Sequence, residues 1–293
     1  MQVFHVLLNV VGPVVLVVFT GWLWAMRKQS FDAGFVGALV NNIATPCLIV
    51  DTLLRTGVQP AALSTMGVAA FATIALTLAA SWLMILAAGQ QVRTFLPSMT
   101  WSNAGNIGLP LSLFAFGAEG LSLAIAFFTI SSLTNYTIGQ GISAGGLSFA
   151  QLLRMPIVYA IAIALTLIGT GWQLPQFAGR AVQLMGGVAV PLMLFSLGYS
   201  LATLKIASLR LSLVFALARL LGGFAIGWAV ALLLGLEGVA RGVVVIQSAM
   251  PAAVLNYLFA LRYNNDPQEV AGVVVLSTLL AVLLLPLFLL SVM

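Results

Sequence analysis

Charge is scarce in this chain. Only 6% of its 293 residues are charged while 62% are hydrophobic, which excludes a soluble domain with the charge-rich surface that water demands. Cysteine and histidine are nearly absent, each occurring once as Cys47 and His5. A single cysteine permits no intrachain disulfide, and the pair cannot assemble a Cys/His metal site. No metal or organic cofactor is expected, which leaves a coupling ion, sodium or proton, as the one inorganic partner to consider. Paired intramembrane acids and a Ser/His pair are also missing, so the sequence does not read as an enzyme. The strand-length alternation of an outer-membrane barrel is absent. The 11 Lys and Arg residues sit singly between apolar runs, as topology signals and not as a nucleic-acid patch.

What the chain has in abundance is apolar length. Mean hydropathy is +1.15, and runs of the roughly 20 residues that cross a bilayer core of about 30 Å recur along the sequence. Ten spans are expected, at about 3–26, 32–54, 64–88, 94–117, 120–142, 152–172, 180–203, 209–234, 241–262 and 268–292. The first lacks a basic leader and is too long for a signal-peptide core, so it reads as a retained helix. Basic residues stay on the cytoplasmic side. Arg27, Lys28, Arg93, Arg154, Lys205, Arg210 and Arg262 follow odd-numbered spans, against Arg55, Arg180 and Arg241 after even ones. The expected protein is therefore a multi-pass inner (cytoplasmic) membrane protein with both termini outside the cytoplasm.

Landmarks recur between the halves at offsets of 143 to 146 residues: Pro13 with Pro156, Pro46 with Pro191, Trp82 with Trp228, Gly89 with Gly235, and Ser131-Ser132 with Ser277-Thr278. The expected fold is all-α, ten transmembrane helices in two inverted five-helix repeats, 1–146 and 147–293, because an odd number of spans inverts the second copy.

Span 4 contains Ser102-Asn103-Ala104-Gly105-Asn106-Ile107-Gly108-Leu109-Pro110, and span 9 contains Gln247-Ser248-Ala249-Met250-Pro251 with Asn256 beyond. Glycine and proline interrupt helices, and non-helical backbone at membrane depth is tolerated only where it lines a cavity or is buried in protein. Helices 4 and 9 are thus expected to be broken and to cross at a transport site. Exposed half-helix N-termini favour anions and C-termini favour cations. Asn103, Asn106 and Asn256 could donate to a carboxylate without burying a charge; alternatively they satisfy local backbone. Ser131 and Asn135 lie one turn apart on span 5, where a polar stripe either widens the site or serves as helix-to-helix glue. Gly139, Gly141, Gly145 and Gly146 make the following link a hinge or an ordinary loop. Arg219, about ten residues into span 8, either attracts an anionic substrate, or snorkels to the cytoplasmic interface or pairs structurally. Asp51, Glu119 and Glu237 fall near span ends, so no acidic proton relay is evident. Sodium would need only carbonyl and neutral oxygens such as those of Ser102, Asn103, Gln247 or Ser248.

The motif Gly105-Asn106-Ile107-Gly108-Leu109-Pro110-Leu111, preceded by Ser102-Asn103, resembles the broken fourth helix of the auxin efflux carrier family. Met250-Pro251 followed by Tyr257-Leu258-Phe259-Ala260-Leu261-Arg262-Tyr263 resembles the family's ninth helix, and Ala44-Thr45-Pro46 its second. The short link between spans 5 and 6 is like that of bacterial, malonate-transporter-like members. The resemblance implies a fold like that of bile acid/sodium symporters, with a scaffold of spans 1, 2, 6 and 7. Spans 3–5 and 8–10 would form a transport domain that moves as an elevator. It further implies a homodimer through spans 2 and 7. The implied activity is secondary transport of small organic anions, mono- or dicarboxylates, held near Asn103 or Asn106 and the helix ends at Pro110 and Pro251. Asn256 stands where plant members tend to have a second proline. An ion-conducting channel, or a sodium-coupled carrier of another small solute, is the alternative activity.

Overall fold

A computed structural model describes residues 2–57, 59–146, 155–204 and 207–292. Arg154 and Lys205, two of the topology signals, lie outside the described residues, as does the side chain of His5. The elements are α1 (Gln2–Met26), α2 (Ala33–Leu39), a π turn (Val40–Ala44), α3 (Thr45–Thr56), α4 (Pro60–Ala87) and α5 (Val92–Thr100). A second π turn (Ala104–Gly108) leads into α6 (Leu109–Thr134), and a third (Asn135–Gly139) into α7 (Gln140–Ala144). The second half comprises α8 (Pro156–Thr170), α9 (Gln176–Thr203), α10 (Leu209–Leu233), α11 (Gly238–Ser248), α12 (Val254–Tyr263) and α13 (Pro267–Val292). Proline opens α4 and α8, where a missing N–H costs nothing. Left-handed glycines Gly57, Gly145 and Gly171 end α3, α7 and α8.

The ten-helix architecture with two inverted five-helix repeats is corrected by these coordinates. Among the described residues, seven helical stretches are long and apolar enough to cross a membrane: Asn9–Met26, Ala33–Thr56, Pro60–Ala87, Ala104–Ala144, Gln176–Thr203, Leu209–Leu233 and Pro267–Val292. The expected spans 4 and 9 are cut by non-helical backbone, leaving α5, α11 and α12 with 9, 11 and 10 residues. The expected span 6 is α8, with 15 residues. At about 1.5 Å of rise per residue, each of these falls short of a hydrocarbon core of about 30 Å. Span 5 does not stand alone but continues from the second π turn through α6, bending at Gly117, whose φ is 66°. With the count goes the parity argument, and the recurring landmarks carry no inverted duplication by themselves.

The helices pack across the whole fold, α6 meeting α1 and α3 as well as α4 and α11. α1 and α9 lie along each other, and α3 packs on α8 and α9. α4 packs on α5, α6 and α10, while α10 packs on α11 and α13. Large apolar side chains such as Leu83, Leu213, Leu233 and Leu283 point outward, the arrangement expected where lipid is the solvent. The α1/α9 contact depends on two glycines facing in opposite senses. A Cβ at Gly21 would collide with the Phe195 carbonyl, and one at Gly198 with the Val18 carbonyl. Backbone cannot yield as a side chain does, so Gly198→Val should force the helices apart and cost about 3 kcal/mol. Gly222→Val, where a Cβ meets nothing within 4 Å, is the control. A melting curve in detergent should show a large loss for the first and little change for the second.

Candidate functional site

α5 ends at Thr100 and α11 at Ser248, and the non-helical stretches that follow lie side by side. The Asn103 N–H donates to the Pro251 carbonyl at 2.7 Å, and the Ala253 N–H donates to the Trp101 carbonyl at 3.2 Å. These bonds flank a single antiparallel bridge between Ser102 and Ala252. The Ala252 N–H donates to Ser277 Oγ at 3.1 Å. Peptide groups that a break would strand in lipid are thus paired across the two breaks, which is what makes the interruption tolerable. Trp101, fully buried, anchors this crossing by donating from Nε1 to Thr134 Oγ1 at 2.9 Å.

The C-terminal ends of both half-helices are closed by side chains. Asn256 Nδ2 donates to the Pro97 and Trp101 carbonyls at 3.1 and 3.2 Å, tying α12 to the end of α5. Asn256→Asp would press a buried carboxylate against those carbonyls. It should cost about 3 kcal/mol or more, whereas Asn256→Leu loses only the hydrogen bonds; denaturation of the two purified variants ranks them. At the other end, Arg219 Nη2 donates to the Ser248 carbonyl at 3.0 Å. Arg219 is 2% exposed, and its Nε and Nη1 have no partner. A cation at a helix C-terminus opposes the negative end of the macrodipole. Gly223 and Gly227 lie one and two turns further along α10. A Cβ at the former would meet the Ser248 carbonyl and Arg219 Nη1, and at the latter the Ser248 side chain. Arg219, Gly223 and Gly227 therefore form the groove that receives the end of α11.

The N-terminal ends face a cavity of about 440 Å³. Asn103 caps the helix that begins at Ala104, its Oδ1 accepting from the Asn106 N–H at 3.2 Å. The cap uses the acceptor and leaves Nδ2, a donor, buried without a partner. α12 begins beside it, with Ala253 at its cap supplying no side-chain group, and Ala253, Val254 and Leu255 line the cavity. Two positive helix ends thus border one cavity. Among the described residues, no Asp, Glu, Lys, Arg or His lines it. The chemistry offered is that of neutral donors and helix ends, suited to a solute carrying negative charge.

Ser102, Asn103, Asn106, Ser131 and Asn135 line this cavity together. Asn135 is 4% exposed, its Oδ1 has no partner, and Gly139 keeps clear the space beside it. Pro110, Pro251, Asn256, Arg219, Gln247 and Ser248 are not in the lining. Pro110 is buried in the first turn of α6, and Pro251 contributes its carbonyl to the crossing. Gln247, fully buried, packs against Gly108 with both amide atoms unpartnered. Sequence reasoning missed the opposite wall, made by Asn41 in the first π turn and by Ser196, Tyr199 and Ser200 on α9. The adjacent amides Asn41 and Asn42 within an apolar run, and Ser196 and Ser200 one turn apart, were the available signals.

The fold is all-α and multi-pass, with a polar cavity beside two paired helix breaks. The profile of a family described as membrane transport protein matches residues 145–289. An "uncharacterized transporter" of Methanothermobacter thermautotrophicus is 28% identical over 277 residues, covering 88% of each chain. Auxin efflux carrier component 2 of Oryza sativa subsp. japonica is 31% identical over 138 residues, 45% of this chain and 22% of that one. Auxin efflux carrier component 1 of Arabidopsis thaliana is 29% identical over 138 residues, again 45% and 22%. Over these stretches the chain is similar to membrane transport proteins, auxin efflux carriers among them; among the described residues no group of three or more His, Cys, Asp or Glu could hold a metal.

Proposed function

We propose that the protein is a secondary transporter of small organic anions, mono- or dicarboxylates, whose carboxylate sits between the N-termini at Ala104 and Val254. The observation that carries this reading is the cavity of about 440 Å³ bordered by two helix N-termini and by Asn103, whose Nδ2 is buried without a partner, with no charged side chain among the described residues of its walls. The related carriers support it, since auxin is an organic acid. A neutral site need not bury an unpaired ion when empty, which keeps the unloaded protein free to move.

The movement in this reading is elevator-like. α4–α7 with α10–α13 carry the cavity past a scaffold of α1–α3, α8 and α9, whose Asn41 and Ser196 form the opposing wall. The scaffold would pair two copies through the α2–α3 segment and α9, in an inner membrane with Arg27, Arg93 and Arg262 toward the cytoplasm, as their charge bias directs.

Thermal-shift screening of purified protein against mono- and dicarboxylates tests the assignment. Ligand at 100 times Kd stabilises by about 2.7 kcal/mol. Asn106→Ala, which removes a lining amide with no side-chain role in the fold, should abolish that stabilisation and leave the melting temperature of the unliganded protein unchanged. Undiminished stabilisation would take Asn106 out of the site.

A further inference from the structure

A second cavity, of about 250 Å³, opens where α8 begins. It is lined by Asn41 and Asn42 of the first π turn, Thr45 of α3, and Met155, Pro156 and Ile157 at the start of α8; Asn41, Phe128, Ser132 and Tyr136 belong to both cavities. We propose that this second cavity is a separate oxyanion site, binding a carboxylate or phosphate group between the N-terminus of α8 and the Thr45 hydroxyl.

Two independent observations converge there. The first is the helix end. α8 is 15 residues long, opens with proline and has Met155 at its cap with no side-chain hydrogen bond, so its N-cap residue supplies no side-chain group to the positive end. The second is Thr45, which is 3% exposed and whose Oγ1 has no partner. Threonine within a helix ordinarily turns its hydroxyl to the carbonyl four residues back. Thr73, Thr129 and Thr278 all do so here, at 2.7 Å. Thr45 follows the π turn, and its own N–H bonds to the Val40 carbonyl five residues back. Thr45 belongs to the cavity wall, and its hydroxyl is buried there without a partner. Asn41 and Asn42, exposed on the same turn, add amide donors. Among the described residues, no Asp or Glu lines the cavity to repel an anion. The volume admits a head group or a small acid, not an extended solute.

The chemistry is shared by free oxyanions and by lipid phosphates, and two arms separate them. In one, delipidated full-length protein is crystallised with selenate and its anomalous signal recorded; in the other, native mass spectrometry counts phosphatidylglycerol retained after detergent exchange. Wild-type protein should show a selenate peak beside Thr45 and Ile157, or retain one lipid whose phosphate occupies that position in the lipid-bound structure. Thr45→Val removes the hydroxyl at nearly constant shape, and Met155→Asp supplies a carboxylate cap that competes for the helix end. Each should weaken the interaction at least tenfold. Asn103→Asp, in the first cavity, should leave it intact, so failure of the substrate assignment and failure of this one are distinguishable. Absence of both selenate and lipid phosphate from the wild-type site would overturn the proposal without recourse to any variant, as would equal occupancy in Thr45→Val and Met155→Asp.

Discussion

Asn103→Asp is expected to eliminate anion binding and transport in a protein that still folds. Aspartate is as good an N-cap as asparagine, so its carboxylate can accept from the Asn106 N–H as Asn103 Oδ1 does at 3.2 Å. The change falls on the other half of the side chain. Nδ2, now buried without a partner, is replaced by an acceptor carrying negative charge, in a cavity where no described residue of the walls is a cation. A solute carboxylate then loses a donor and meets a like charge, a juxtaposition that costs several kcal/mol. Binding should weaken by at least about 100-fold, since each 1.4 kcal/mol is a factor of ten. Uptake into proteoliposomes measures it, with the melting temperature of the unliganded variant as the folding control. Asn103→Ala would be less informative, because it removes cap and donor together.

Arg219→Ala should produce the largest loss of stability among the polar substitutions considered. The Ser248 carbonyl would lose its charge-assisted donor, and the negative end of α11 its compensating cation. A void would open opposite Gly223 and Gly227, glycines that exist to admit the guanidinium and the end of α11. Hydrogen bonds to charged groups contribute about 1.5–3 kcal/mol, and the cavity adds to that. Arg219→Lys should recover part of the loss, since an ammonium can reach one carbonyl but cannot reproduce the planar fork. Because Arg219 does not line the cavity, ligand affinity per folded molecule should fall far less than stability does. Denaturation and ligand titration of the same preparations separate the two effects.

The sequence made the places of interruption legible and left their resolution obscure. Gly105, Gly108 and Pro110 announce a stretch that cannot remain an ordinary helix, and the coordinates show a bare extended segment followed by a π turn there. Pairing of Asn103 with Pro251 and of Ala253 with Trp101 joins residues distant in the chain and leaves no local pattern to read. Counting spans failed for a related reason. Composition registers continuous apolarity, whereas the length of a helix is fixed by its backbone; α5, α11 and α12 are apolar but short, so ten expected spans became seven stretches able to cross. Asn256 illustrates the limit for single residues. Its amide was read as facing a solute or satisfying backbone, and the coordinates turn Nδ2 to the carbonyls of Pro97 and Trp101. Arg219 was conspicuous as a charge, but the glycines spaced four residues apart after it are what locate its partner.

The claim on which the rest depends is that two helix N-termini and neutral side-chain donors select for negative charge in the larger cavity. The most direct measurement compares the tightest-binding carboxylate from the thermal-shift panel with its own primary amide, matched in shape and differing in charge, by calorimetric titration of the wild-type protein. The account predicts that the carboxylate binds at least about 100-fold more tightly, a difference of about 2.7 kcal/mol. Equal affinity for the two, or preference for the amide, would contradict it.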